Sequence, residues 1–184
     1  ASPDDLKQWA EAGILKRIYD KNGSYTSSFM ASRLWVADYA AKNEIGKVLD
    51  FNELAESSGD KTGKGIKRLG VLRADVDGLG AAFIAGFIHK ENKNPEAYAT
   101  LSRYAALSRS MALFFRKIIK GICKKELPEG IKPFYLFEDK DGEPRKIHVV
   151  YSGGDDLFLV GAWDDLMGFT VDLKRVFSVY TNGK

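Results

Sequence analysis

The spacing of apolar positions changes near residue 57 and divides the chain into two parts. Before that point the spacing is typical of helices, and it predicts one helix from Pro3 to about Tyr19 and another at Phe51–Glu56. Residues 34–39 (LWVADY) fit either a strand or a buried irregular segment. Residues 57–65 (SSGDKTGKG) have the composition of a linker. We therefore predict an N-terminal helical or mixed segment with its linker, residues 1–64, and a second domain, residues 65–184.

The second domain alternates between strand and helix patterns. A fourth strand after the last helix would complete a ferredoxin-like βαββαβ unit. We therefore expect an α+β fold of the ferredoxin-like type, βαββα(β), that lacks its last strand and follows a small mixed segment. The predicted elements are a strand at 69–76, a helical segment at 79–88, a helix beginning at Asn94-Pro95, a strand at 131–138, a hairpin of 147–151 with 157–162, and a helix at 163–180.

Composition narrows the classes of protein. The 184 residues are 45% hydrophobic and 29% charged with a net charge of +3, which is ordinary for a folded domain. A single cysteine, Cys123, excludes a disulfide framework, and two histidines argue against a histidine-rich metal centre. No apolar run is long enough to span a membrane and no secretory signal pattern is present, so we expect a cytoplasmic location without membrane contact.

Two pairs of acidic residues stand at the same predicted edge of the sheet. Asp75 and Asp77 follow the first strand, and Asp155 and Asp156 lie at the tip of the hairpin. Each pair alone fits a turn or a helix cap, but a βαββ unit places strand end and hairpin tip side by side. Carboxylates that close repel each other unless cations bind them, and Mg²⁺ prefers such oxygen ligands. Two such ions about 3.5–4 Å apart catalyse in-line attack at phosphorus.

These motifs resemble a known family. LGVLRADVDGLG (69–80) and VVYSGGDDLFLVGAW (149–163) are similar to the polymerase/cyclase palm in the large subunit of type III CRISPR effector complexes, specifically the Csm (III-A) type. The resemblance covers most of residues 30–184. It implies a GGDD palm that joins ATP into 3′–5′ cyclic oligoadenylates when target RNA binds the complex. The implied partners are guide RNA and target RNA within a multisubunit Csm complex, and the implied cofactors are two Mg or Mn ions, with ATP as substrate.

The resemblance also assigns roles to single residues. It implies that Asp75, Asp155 and Asp156 are catalytic, and that the metal ligands are these three residues and Val76. The glycines before the hairpin acids have no side chains, so a phosphate or a sugar can approach their backbone closely. The nucleotide-binding residues that the resemblance implies are Ser152, Gly153, Gly154, Gly78, Leu79 and Gly80.

Two other functions compete with this one. A non-catalytic palm would serve as a scaffold for RNA and partner subunits, and the basic residues between 103 and 132 fit either that role or a solvated helix face. A diguanylate-cyclase-like enzyme is the nearest enzymatic alternative, although such enzymes typically read Gly-Gly-Asp/Glu-Glu-Phe, whereas Leu157 follows Asp156 here. Without a fourth strand the sheet has an exposed edge, so we also expect the isolated chain to self-associate.

Overall fold

A computed structural model describes residues 2–15, 18–20, 31–33, 36–91 and 93–183. The chain forms two compact units, Ala1–Val36 and Ala37–Lys184. Residues 34 and 35 of the LWVADY segment lie outside the described residues, and residues 36–39 have no regular secondary structure. No helix in the described ranges combines the length and the apolar character that crossing a membrane requires.

The first unit contains a short helix and two short strands. Helix α1 (Pro3–Glu11) begins with a reciprocal capping box, in which the Ser2 hydroxyl accepts from the Asp5 N–H at 3.1 Å and the Asp5 carboxylate accepts from the Ser2 N–H at 2.7 Å. Strands β1 (Ile18–Asp20) and β2 (Ala31–Arg33) pair in parallel. Local hydrogen bonding therefore fixes where this first helix starts.

The prediction that this helix continues to Tyr19 is wrong. The helix stops because Gly13 adopts a left-handed conformation with φ +68°. The Ile14 N–H then donates to the Trp9 carbonyl at 3.0 Å, which is the closing hydrogen bond of a Schellman motif. Gly13 therefore terminates the helix, within the range that the apolar spacing predicts to be helical.

The second unit is built on an antiparallel sheet of three strands, β3 (Leu69–Ala74), β4 (Ile147–Gly153) and β5 (Asp156–Ala162), which lie in the order β3-β5-β4. The first strand of the βαββα unit thus pairs with the third, as expected for the ferredoxin-like order, and the predicted fold class is confirmed. The elements are α2 (Phe51–Glu56), β3 (Leu69–Ala74), α3 (Leu79–Ala85), α4 (Leu101–Leu113), a π-helical turn (Phe114–Ile118), α5 (Ile119–Cys123), a 3-10 turn (Glu138–Lys140), β4 (Ile147–Gly153), β5 (Asp156–Ala162) and α6 (Trp163–Tyr180).

The core of this unit lies between the sheet and the helices. Leu157 and Leu159 of β5 are buried against Phe114 of the π-helical turn and Phe169 of α6. Residues before β3 join the same unit, since Tyr39 packs against this core and its main-chain carbonyl accepts from the Val149 N–H of β4 at 2.8 Å. The boundary predicted at residue 64 from composition stays a prediction.

The helix predicted to begin at Asn94-Pro95 begins later, at Leu101, so that prediction is wrong. The Pro95 carbonyl instead accepts from the His89 N–H at 2.9 Å in a turn, and Thr100 is the extended residue that precedes the helix. Within the helical run that follows, the π-helical turn brings two consecutive aromatic residues, Phe114 and Phe115, into the core. A π turn inserts one residue per turn, which a regular helical periodicity does not predict.

The predicted strand at residues 131–138 is absent. In this segment the Phe134 N–H donates to both carboxylate oxygens of Asp172, at 3.0 and 3.1 Å. The Phe134 carbonyl accepts from Arg145 Nη2 at 3.2 Å. Side chains from α6 and from the start of β4 therefore satisfy the backbone groups that a neighbouring strand would otherwise satisfy.

Candidate active site

The hairpin between β4 and β5 places the GGDD segment at one end of the sheet. Gly153 pairs with Asp156, so Gly154 and Asp155 form the two-residue turn. Gly154 adopts φ +66°, a left-handed conformation that favours glycine, and a Cβ added there would meet no atom within 4 Å. The main chain at the tip is therefore open to a ligand, as the sequence predicts.

The end of β3 lies beside this hairpin. Ala74 is the last residue of β3 and pairs with Leu157 of β5, so the acids that follow it emerge next to the hairpin tip. The Asp75 carboxylate accepts from the Val76 N–H at 2.8 Å and is exposed. Gly78, with φ +73°, then turns the chain into α3, which begins at Leu79.

A cavity of about 340 Å³ lies between the end of β3, the hairpin tip and two helical elements. Asp75, Asp77 and Asp155 line one side of it. The remaining lining residues are Ala74 and Val76 beside the acids, Phe114 and Phe115 of the π-helical turn, and Thr170, Leu173, Lys174 and Phe177 of α6. The cavity thus combines carboxylates, aromatic rings and one cation.

The structure does not bring all four predicted carboxylates together. Asp156 lines a different cavity, with Arg73, Tyr151 and Phe158. It precedes the core residue Leu157, and successive residues of a strand point to opposite faces. The two neighbouring acids of the hairpin therefore lie in different surroundings.

Ser152 joins the hairpin to the helical layer. Its hydroxyl donates to the Phe115 carbonyl at 2.6 Å, and the residue is half-buried. Phe115 belongs to the π-helical turn, where the main-chain hydrogen bonding is altered, and it also lines the cavity. Ser152 therefore positions β4 against the wall of the cavity, a contact between residues 37 positions apart that no local sequence pattern indicates.

Helix α6 also contributes to the cavity, which the sequence pattern did not indicate. Thr170, Lys174 and Phe177 recur at helical spacing and turn one face of this helix toward the cavity. Lys174 is the only cation among the residues that line the acidic cavity, taken over the described part of the chain. A lysine on an amphipathic helix is normally solvated, so only the packing of α6 beside the β3 end reveals this position.

The donor atoms fit a divalent ion that arrives with a nucleotide. Within the described ranges, no group of three or more His, Cys, Asp or Glu side chains is arranged to hold a metal ion. Asp75 and Asp155 nevertheless line one cavity, and Val76 can ligate only through its main-chain carbonyl. Mg²⁺ in proteins typically takes one or two carboxylates and completes its shell with water and substrate phosphates. The residues present fit that arrangement.

Two further side chains that could act as a base or a nucleophile, His148 and Cys123, are instead part of the packed fold. The Nδ1 atom of His148 accepts from the Ala41 N–H at 3.1 Å, and its Nε2 atom donates to the Leu49 carbonyl at 2.7 Å. Cys123 is fully buried, and this burial raises the pKa of its thiol to about 12. Both residues therefore pack the fold and are unsuited to act as a catalytic base or nucleophile.

An antiparallel sheet in this strand order, with helices packed on it and acids at a strand end and a hairpin tip beside a cavity, defines a palm domain. Residues 68–184 match the family model described as Cas10/Cmr2, second palm domain. The chain belongs to the Cas10/Cmr2 family, and it carries the second of that family's palm domains. The predicted recognition is confirmed.

Two similar proteins bear the name "CRISPR system single-strand-specific deoxyribonuclease Cas10/Csm1 (subtype III-A)". The one from Mycobacterium tuberculosis is 40% identical over 169 residues, which is 92% of this chain and 18% of the relative. The one from Streptococcus thermophilus is 38% identical over 168 residues, with 91% and 18% covered. The chain therefore spans about a fifth of the length of these relatives.

Solved structures of Csm1-Csm4 cassettes have the same fold. The complex with one ATP matches with a TM-score of 0.62 at 34% identity, covering 85% of this chain and 20% of that chain. The complex with cA4 matches with a TM-score of 0.70 at 33% identity, covering 91% and 22%. The complex with pppApApA matches with a TM-score of 0.65 at 32% identity, covering 91% and 22%.

Proposed function

We propose that this chain is the palm that converts ATP into 3′–5′ cyclic oligoadenylate by two-metal nucleotidyl transfer. The observation that carries the proposal is the shared cavity of Asp75, which directly follows β3, and Asp155, which lies in the hairpin turn. The names of the similar structures, with ATP and cA4, support the same substrate and product. The reaction takes place upon target RNA recognition, within a multisubunit Csm complex that also holds guide RNA, in antiviral defence.

Different residues of the cavity bind different parts of the ligand. Asp75, Asp155 and the Val76 carbonyl hold divalent ions with the nucleotide, and the open main chain at Gly154 admits its phosphates. Mg or Mn ions bound there would activate the attacking 3′-hydroxyl and neutralise charge on the phosphates. Lys174, which lines the same cavity, contacts a phosphate. Asp156 and the glycines at 153, 78 and 80 keep the roles that the family resemblance implies, together with Leu79.

The apolar wall explains how the cavity takes a base. Phe177 is half-buried and lines the cavity, and aromatic rings stack on nucleobases of any sequence. The volume of about 340 Å³ lies at the small end of the range for ligand pockets. We therefore expect one nucleotide to bind with its base on Phe177 and its phosphates at the acids.

The test uses the full-length subunit in its complex with guide and target RNA. It is incubated with labelled ATP and Mn²⁺, and the products are separated by chromatography. We expect cyclic oligoadenylates from the native complex and none from Asp75→Asn or Asp155→Asn. Asp4→Asn changes an exposed acid of α1 by the same chemistry, and product formation should continue. Unaltered synthesis by both cavity variants would refute the proposal.

One observation favours a second candidate, a non-catalytic palm scaffold. Asp156 is separated from the cavity that holds Asp75 and Asp155, and a scaffold has no need to unite these acids. The two candidates differ in how ATP binds. A palm enzyme binds ATP more tightly when Mg²⁺ or Mn²⁺ is present, whereas a scaffold shows no such dependence, and calorimetry with and without the ion separates them.

A further inference from the structure

An open groove runs along the side of α6 next to the active-site cavity. Its volume is about 790 Å³. The residues of α6 that line it recur at positions i, i+3, i+4, i+7 and i+8, so they form one continuous face of the helix. The lining residues are Val171, Lys174, Arg175, Ser178 and Val179 of α6, facing the loop segment 130–132.

The groove is cationic. Lys132, Lys174 and Arg175 line it, and no carboxylate does so among the residues that the structure describes. Arg175 lies 3.9 Å from an oxygen of Asp172, but that acid is fully buried and already binds Arg145. The Arg175 side chain keeps 51% of its surface exposed. A bound anion would therefore find uncompensated positive charge along this face.

The groove is also continuous with the active-site cavity. Lys174 lines both, because it stands between the cavity stripe of α6 and the groove stripe. Val179 is 63% exposed, and with Ile131 and Val171 it gives the groove an apolar side beside its cations. A positively charged groove that follows the phosphate backbone is a feature with which proteins bind single-stranded nucleic acid.

We propose that this groove binds the phosphodiester backbone of a linear oligoadenylate that extends from the active-site cavity. The inference rests on the proposed function, since the oligoadenylate is its growing product. Lys132 and Arg175 contact the phosphates beyond the first nucleotide, while Lys174 contacts the phosphate at the junction. The groove thereby retains the growing chain between successive additions.

The experiment measures binding of two probes, ATP and the linear trinucleotide pppApApA, to the full-length subunit. Ca²⁺ replaces Mg²⁺ to suppress turnover, and affinities are measured over a range of salt concentrations. The native subunit should bind pppApApA more tightly than ATP. In Lys132→Gln/Arg175→Gln, ATP affinity should be unchanged, and pppApApA affinity should fall at least tenfold. The slope of log affinity against log salt should fall by about 0.7 for each cation removed.

Two control variants separate this groove from general charge effects. Lys42→Gln/Lys47→Gln removes the same charge from exposed positions outside the groove, and it should leave both probes unaffected. Lys132→Arg/Arg175→Lys keeps the charge and should retain pppApApA binding. An unchanged pppApApA affinity and salt slope in the glutamine variant would overturn this inference and leave the proposed function standing. A native subunit that fails to bind ATP would overturn the proposed function, and this inference with it.

Discussion

The two ends of the sheet use aspartate in opposite ways. At the hairpin end, Asp75 is exposed and Asp155 is half-buried, and both line a cavity. At the other end, which we call the strand-start end, β4 begins and β5 runs into α6. Three aspartates of α6 are buried there and held by cations or N–H groups. Lys140 binds Asp164, Arg145 binds Asp172, and the Lys146 N–H donates to Asp165 at 2.9 Å.

The difference follows from the cost of burying charge. A buried carboxylate without partners is expensive, so each acid at the strand-start end is matched by a donor within the fold. Water solvates a carboxylate that remains near the surface, so such a carboxylate needs no partner from the fold. The hairpin end can therefore keep carboxylates that the fold does not require. The same residue type therefore stabilises the structure at one end and is free to bind ligands at the other.

We expect the largest effect from substitutions at the hairpin end, which should lower oligoadenylate synthesis without lowering stability. In the full-length protein, Asp155→Ala/Asp156→Ala should lower oligoadenylate synthesis more than about a thousandfold, because the ions that activate the attacking hydroxyl lose their ligands. Urea unfolding should show a free energy of unfolding close to that of the native protein. Full synthesis by this variant, with Mg²⁺ still bound, would leave the scaffold as the better account.

We expect the second largest effect from a substitution at the strand-start end, which should lower the free energy of unfolding. Asp172→Ala removes the nearer carboxylate of the buried Arg145 guanidinium, leaving only Asp165 at 3.9 Å, and it frees the Phe134 N–H. Removing one partner of a buried ion pair costs about 3–5 kcal/mol, so the urea midpoint should fall sharply. Asp77→Ala, at an exposed acid of the hairpin end, is the matched control and should change the free energy of unfolding by less than about 0.5 kcal/mol. Equal losses of unfolding free energy in the two variants would contradict a stabilising role that is specific to the buried aspartate.

Ser152→Ala should give an intermediate result, because this residue supports the hairpin end through a bond within the fold. The change removes the donor to the Phe115 carbonyl. We expect synthesis to fall about tenfold, which corresponds to one hydrogen bond of about 1.4 kcal/mol. Ser152→Thr keeps the hydroxyl and should recover part of the rate. No recovery would show that the shape of the side chain matters more than its hydrogen bond.

The smallest effect should appear as a pH dependence at the strand-start end. Burial, assisted by the nearby Arg145 charge, lowers the pKa of Lys125 from 10.5 to about 8, although Asp165 opposes the shift. Between these two values the unfolded chain binds more protons than the folded chain, so stability rises as the pH increases from about 8 toward 10.5. Lys125→Met removes this titration. Urea unfolding at several pH values should show the free energy of unfolding of the native protein rising relative to that of the variant across this window. Parallel curves for the two proteins would contradict the lowered pKa of Lys125.

Local patterns in the sequence predicted much of the frame that carries the site. The hairpin, the final helix and β3 follow from alternating or helical apolar positions, which report the burial of each residue with its near neighbours. The GGDD segment predicted a turn because glycine accepts the conformation that Gly154 adopts. Where local signals compete, as at Asn94-Pro95 and at Gly13, the predicted helix ends were wrong by several residues.

Local periodicity and turn chemistry place the acids at a strand end and a hairpin tip, and both signals are present in the sequence. The packing of helices on the sheet determines that Asp75 and Asp155 share a cavity while Asp156 lies elsewhere. The same packing makes Asp172, and not a neighbouring strand, the partner of Phe134, and it brings Lys174 to the cavity of the acids. These contacts join residues far apart in the chain, and their energies depend on how helices pack on the sheet, which no local pattern records.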